Sequence, residues 1–295
     1  MASSDGQIRR RHAIVIEMQW TNLAAVRDEL VVLVERNGRR PTIAFDADST
    51  LWFSDVANRL WDHLLGEKLL RPEAGPHIAA VLRAQEGEPT GDPHRDMAAL
   101  LDLYARGRAE ERAVVAVQAT GLVGFTEEGV REVARASFAL GRPLPGTCFE
   151  GMAELLDALR AAGARLVVVS GSPQLVVEEA ARLYGIGAED ISSLRTRVEA
   201  GRLTAELQGP LTAHEGKLAG YALLSDVPPL AAFGDGPSDI PLLRSATGLA
   251  CMINPRPGLR AATREMAAPV RWIRIPRTVS GEETPVPDVD ESTIL

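Results

Sequence analysis

Between residues 21 and 37 the apolar positions Leu23, Val26, Leu30, Leu33 and Val34 recur at helical spacing, and Asn37-Gly38 follows as a stop, so the pattern predicts an amphipathic helix. The run Thr42-Ile43-Ala44-Phe45 is short and lacks such a stripe; it reads as a strand buried on both faces, as parallel sheets require. From Ser54 to about Pro145 the spacing turns helical throughout. Val56, Leu60 and Leu64 share one face, and further helical segments fall near 94–106, 109–119 and 127–140, with no strand pattern between them. After Thr147 short apolar runs alternate with helical ones: helix 150–162, strand 165–169, helix 174–184, helix 215–224, strand 230–233, helix 238–244, strand 248–252, helix 257–267 and strand 270–273. Such alternation builds a parallel sheet with helices on both faces. Residues 196–206 alternate around a Gly-containing turn and predict a β-hairpin standing off that sheet.

The predicted architecture is therefore α/β: a doubly wound, mainly parallel core from residues 41–53 and 146–275, with an all-helical cap inserted at 54–145. Residues 1–40 form an N-terminal extension carrying the leading helix. Residues 276–295, rich in Pro and acidic side chains, have little to bury and read as a flexible tail.

Composition narrows the function. A chain of 295 residues that is 45% hydrophobic can bury a large core. Its net charge of -8, from 40 acidic against 32 basic residues, comes with no basic stripe, which argues against nucleic acid as a partner. Cys148 and Cys251 are too few for a disulfide framework or a cysteine-ligated zinc site, and fit a reducing cytoplasm. The opening MASSDGQIRRRHAIVIEMQW has a basic patch, but its apolar stretch is cut by Glu17 and lacks a small-residue cleavage site, so no signal peptide is expected. No apolar run approaches the roughly eighteen residues of a membrane span.

Ligand sites of open α/β sheets collect at the carboxyl ends of strands. After strand 42–45 come Asp46, Asp48, Ser49 and Thr50; after strand 165–169 come Ser170, Gly171 and Ser172; after strand 230–233 come Gly234, Asp235, Gly236 and Asp239. Lys217 opens a helix in His214-Glu215-Gly216-Lys217. Carboxylates converging in this way call for a hard cation, and Mg²⁺ takes oxygen ligands together with substrate phosphate. Hydroxyls, glycine amides and one Lys beside it would cradle a phosphoryl group. With no Cys at the strand ends and no Ser beside a His, a carboxylate is the available nucleophile: of Asp46 and Asp48, one can attack while the other shuttles a proton. Two rival motifs fail. Gly234-Asp235-Gly236 lacks the third glycine of a dinucleotide fingerprint, and Leu211 stands where a P-loop ending at Gly216-Lys217 needs its first glycine.

In order, FDADSTLW, VVVSGS, the Lys of HEGK and FGDGPSDIPLL resemble the four motifs of the haloacid dehalogenase superfamily. Ser49 after Asp48 and the Ser170-Gly171-Ser172 loop resemble its phosphoserine phosphatase branch, and the helical insertion sits where the superfamily places a helical cap. The resemblance implies an aspartyl-phosphate on Asp46, acid–base work by Asp48, phosphate binding by Ser49, Thr50, Ser170 and Gly171, and charge stabilisation by Lys217. It implies Mg²⁺ held by Asp46, the backbone carbonyl of Asp48 and Asp235, with Asp239 on the metal or its waters. An acid at Asp48 points to a phosphatase or phosphomutase, because dehalogenases need none and transport ATPases of the fold carry Thr there. Asp55 occupies the place of the Glu that recognises the substrate amine in phosphoserine phosphatases, shorter by a methylene, and equally suits a helix N-cap. Arg83, Arg95, Arg131 and Arg135 are the candidates for a cap arginine facing a substrate carboxylate. The expected function is thus a cytoplasmic, Mg²⁺-dependent phosphatase of a small phosphorylated metabolite, phosphoserine or another amine-bearing one; a phosphomutase and a catalytically silent metabolite-binding protein are the alternatives.

Overall fold

The computed structural model describes residues 20–141, 143–263, 266, 269–273, 277–279 and 282–284; the first nineteen residues and most of the expected tail lie outside them. In chain order the elements are β1 (Trp20–Thr21), α1 (Leu23–Arg36), β2 (Thr42–Phe45), α2 (Val56–Gly66), α3 (Ala74–Ala84), α4 (Pro93–Ala105), α5 (Glu111–Thr120), α6 (Glu127–Ala139), α7 (Met152–Ala161), β3 (Arg165–Pro173), α8 (Gln174–Ala181), β4 (Ile191–Leu194), β5 (Thr196–Glu199), β6 (Arg202–Leu207), α9 (Gly216–Ala222), β7 (Ala231–Gly234), α10 (Ile240–Ser245), β8 (Leu249–Ile253), α11 (Pro257–Ala262), β9 (Val270–Ile273), β10 (Arg277–Val279) and β11 (Glu282–Thr284).

Seven parallel strands form one sheet in the order β1-β9-β8-β7-β2-β3-β4. The chain runs outward from β2 through β3 to β4, then returns to the other side of β2 with β7, β8 and β9. The order reverses at β2, and such a switch point opens a crevice above the strand ends. Successive side chains point to opposite faces, which divides the core in two. Ile43, Phe45 and Val168 pack with α1, α7, α8 and the helical insertion, while Ala44, Val167, Val169 and Ala232 pack under α9, α10 and α11. Phe45 and Phe233 stack with ring centroids 4.5 Å apart, tying β2 to β7 just below the crevice.

Between β2 and α7 the described residues form five α-helices and one short 3-10 turn, Leu144–Thr147, and no strand. Side chains set several of their starts: Asp55 accepts from the Asn58 amide at 2.8 Å, Asp92 from His94 at 2.9 Å and Thr126 from Gly129 at 3.0 Å. Fully buried Trp61 on α2 donates its indole N–H to the Gln118 carbonyl on α5 at 3.1 Å. The hairpin β5–β6 leaves the sheet and meets this insertion: Gly124 donates to the Leu203 carbonyl at 2.9 Å and Leu203 donates to that of Phe125 at 2.8 Å.

Some elements differ from the sequence pattern. The strand expected to stop at residue 169 continues as β3 to Pro173, through a shift of register that carries Ser170-Gly171-Ser172. β4 has no apolar alternation because Ser192 and Ser193 are buried in it; Ser193 is satisfied by Gln174 Oε1 at 2.7 Å and donates to the Ser170 carbonyl at 2.9 Å. β1 is two residues long, too short to show a period. Within the expected tail, β10 and β11 pair antiparallel. No helix among the described residues is long and apolar enough to cross a membrane.

Candidate active site

The neighbouring strands β3, β2 and β7 deliver Ser170-Gly171-Ser172, Asp46 and Asp235 to one place, and the backbone N–H of Asp46 is fastened to the Phe233 carbonyl at 2.9 Å. Asp46, Asp235 and Asp239 are buried, each offering a carboxylate oxygen within 4.8 Å of the others. Lys217, from the first turn of α9, is 2% exposed and reaches into this group: Nζ donates to Asp46 Oδ1 at 2.5 Å and to Asp239 Oδ1. Asp239 Oδ2 accepts the backbone N–H groups of Asp235 and Gly236, each at 2.9 Å, folding the Gly234–Asp239 loop around its own carboxylate. Gly234 is required for that fold, because a Cβ there would stand 2.5 Å from that of Asp239. Asp239 Oδ1, which accepts only the Lys217 ammonium, keeps a second lone pair, so the group still suits a cation or its waters.

Asp48 stands outside the three-carboxylate group and is held separately. Its Oδ1 accepts the Trp52 indole N–H and the Val56 amide, both at 2.9 Å, and its Oδ2 accepts Ser172 Oγ–H at 2.6 Å. Thr50 is buried and donates to Asp46 Oδ2 at 3.3 Å, while Ser49 adopts φ 60, a left-handed conformation uncommon outside glycine. Ser170 Oγ accepts the Ser172 amide at 3.1 Å, which curls the loop around Gly171.

The carboxyls of Asp46, Asp48 and Asp235 are all shifted upward. Burial, then Asp239, pushes the Asp46 carboxyl up to about 7 against the opposing pull of Lys217. Asp48 rises to about 7 through burial and the nearby Asp55, against its three hydrogen bonds. Asp235 also rises to about 7, through burial and the charges of Asp46 and Asp239. Burial disfavours the Lys217 charge, but Asp239 and Asp46 overcome it and raise its pKa, so it stays an ammonium. Three carboxylates facing one Lys and one Arg leave charge unmatched, and an all-oxygen donor set of this kind suits a hard divalent cation.

Sequence reasoning overlooked several groups. Arg256, after β8, donates Nε–H to Asp235 Oδ2 at 2.7 Å, and no motif spacing marks it. Ser172 was visible in the strand-end loop, but its bond to Asp48 depends on the register shift in β3. His214 pairs with Glu111 of α5 at 2.9 Å. Asp55 caps α2; water reaches it, yet protein surrounds it closely enough that desolvation raises its carboxyl, with Arg256 and Asp235 both acting on it. Of the arginines considered for a substrate carboxylate, Arg131 and Arg135 pair with Glu179 of α8, and Arg131 also with Glu178, while Arg95 lies 3.8 Å from Asp92.

The model of the haloacid dehalogenase-like hydrolase family matches residues 43–244, which run from β2 into α10 and include Asp46, Asp48, Ser170, Lys217, Asp235 and Asp239 but not Arg256. The chain belongs to the haloacid dehalogenase-like hydrolase family. Among curated proteins, this hydrolase is 29% identical over 224 residues to a phosphoserine phosphatase of Halobacterium salinarum, covering 74% of this chain and 88% of that one. Two solved structures share the fold of the hydrolase. One, a protein of unknown function from Bordetella pertussis Tohama I, has TM-score 0.57 and 20% identity, covering 79% of this chain and 99% of its own. The other, a functionally unknown protein from Anaerococcus prevotii, has TM-score 0.63 and 15% identity, covering 87% and 92%.

Proposed function

We propose that this hydrolase is a Mg²⁺-dependent phosphatase of the cytoplasm that cleaves a small phosphomonoester, phosphoserine or another amine-bearing phosphometabolite, through a phosphoaspartate on Asp46. The observation that carries the reading is the division of labour between two acids: Asp46 lies against Lys217 and two further carboxylates, while Asp48 is held apart by three donors. Family membership and the similarity to the Halobacterium phosphatase support it.

Asp46, Asp235 and the backbone carbonyl of Asp48 would hold the metal, with Asp239 supporting the metal or its waters. Mg²⁺ supplies charge neutralisation at the phosphoryl oxygens when bound. An Asp46 oxygen attacks phosphorus and the bond from phosphorus to the leaving alkoxide breaks. Asp48, whose carboxyl titrates at about 7, gives that alkoxide a proton and then takes one from the water that attacks the phosphoaspartate, which regenerates the Asp46 carboxylate and frees inorganic phosphate. Thr50, Ser49, Ser170 and Gly171 receive the phosphoryl oxygens, and Lys217 offsets charge on Asp46 and the phosphoryl group. Helices α2 to α6 act as a cap that excludes bulk water, and Asp55 meets the substrate amine at the mouth.

Phosphate release from phosphorylated amino acids, amino alcohols, sugars and nucleotides, with Mg²⁺ or with chelator, tests the assignment. The expected result is metal-dependent release favouring amine-bearing substrates. Folded protein that releases no phosphate from any of them, or that isomerises a sugar phosphate instead, overturns it.

A further inference from the structure

A second cavity, of about 180 Å³, lies between the helical insertion and the core. α5 relates it to the phosphate loop: Val115 is 3.8 Å from where a Gly171 Cβ would stand, and Ala119, one turn further on the same face, lines the cavity. None of Asp46, Asp48, Ser170 or Lys217 borders it, and on the core side it begins with Pro173 and Gln174, immediately after the phosphate loop.

Its walls divide by chemistry. Leu122 and Val130 of the insertion and Leu175 and Leu203 from beyond it supply apolar wall. Among the polar members, Gln174 is bonded to Glu178, Ile191 and Ser193, and the half-buried Arg131 pairs with Glu178 and Glu179. Two exposed side chains of opposite charge also line it, Glu127 and Arg195, and among the described residues neither makes an ion pair or a side-chain hydrogen bond. The volume is below the roughly 300–1,000 Å³ of clefts that take drug-sized ligands. A small anion would meet Glu127, a small cation would meet Arg195, and a hydrocarbon would leave both charges without a partner.

We propose that this cavity is a non-catalytic site for a free α-amino acid with an apolar side chain, its carboxylate on Arg195, its ammonium on Glu127 and its side chain among Leu122, Val130, Leu175 and Leu203. The occupant bridges insertion and core, and so stabilises the closed arrangement by mass action. The site is independent of the reaction assigned to Asp46.

Calorimetric titration and thermal denaturation of the full chain with L-leucine test this, with isoamylamine and 4-methylpentanoate as probes lacking one charge. Leucine should bind and raise Tm, and each single-charge probe should bind at least about ten-fold more weakly, the loss of one charge-assisted contact. Arg195→Ala and Glu127→Gln, at exposed positions that folding tolerates, should each weaken leucine by a similar factor, whereas Asp46→Asn should leave its binding unchanged. Absence of leucine binding at millimolar concentration overturns the proposal. So does binding indifferent to both rim variants, or binding lost in Asp46→Asn, which would put the amino acid in the catalytic crevice.

Discussion

Lys217 is the side chain on which the most charge depends. It is almost wholly buried between Asp46 and Asp239, so Lys217→Met leaves those carboxylates without their ammonium and should destabilise the metal-free protein by about 3–5 kcal/mol, measured by denaturant unfolding, with part of the loss recovered in Mg²⁺. Asp46→Asn removes the nucleophile while keeping its shape and should reduce phosphate release by at least about 10³-fold. The raised carboxyl pKa values give a further expectation. Asp46 and Asp235 titrate near 7 in the fold against an ordinary 3.8, so the folded state holds their protons more tightly than the unfolded chain does. Their contribution to stability is complete below pH about 4 and disappears as pH rises through about 7, and Mg²⁺, which binds the deprotonated form, should oppose the fall. Tm profiles against pH in chelator and in Mg²⁺ would check it, and coincident profiles would refute it. The meeting of Asp46, Lys217, Asp235 and Asp239 was legible in the sequence because the acids follow strand ends and Lys217 holds its place in the order of the motifs. Arg256 was not, since its meeting with Asp235 depends on the path of the loop after β8.

At the scale of elements, Asp55 has two separable tasks. Asp55→Ala should lose the α2 cap, about 1 kcal/mol, together with any preference for an amine; Asp55→Asn keeps a capping oxygen and should keep stability while losing the preference. Thermal denaturation beside substrate competition separates the two, and unchanged selectivity in both variants would confine Asp55 to capping. β2, a short and mostly apolar run, and β9, apolar but for Arg271, were readable to the residue. β4 was not, because its serines are buried only by virtue of Gln174 and the Ser170 carbonyl, which arrive from elsewhere in the chain. β3 outran its apolar run because polar loop residues can continue a strand when the neighbouring strand accepts a shifted register.

For the whole molecule, alternating helices and strands implied the doubly wound sheet, but nothing in their periods says how the helical insertion rests on it. Besides the packing of α2 and α5 on α8 and β3, two polar contacts help to fix that. Arg131 and Arg135 of α6 meet Glu178 and Glu179 of α8, the latter 2% exposed, so Arg131→Met should leave buried carboxylates underpaired and lower Tm by several degrees, a result that calorimetry would read directly. The second contact is the pair of backbone bonds joining Gly124 and Phe125 to Leu203. Because an amide exchanges with solvent only when its bond opens, the hairpin and the α5–α6 turn should behave as one cooperative unit in hydrogen exchange. Gly124 and Leu203 should therefore gain deuterium at matching rates, slower than the exposed Glu111 end of α5.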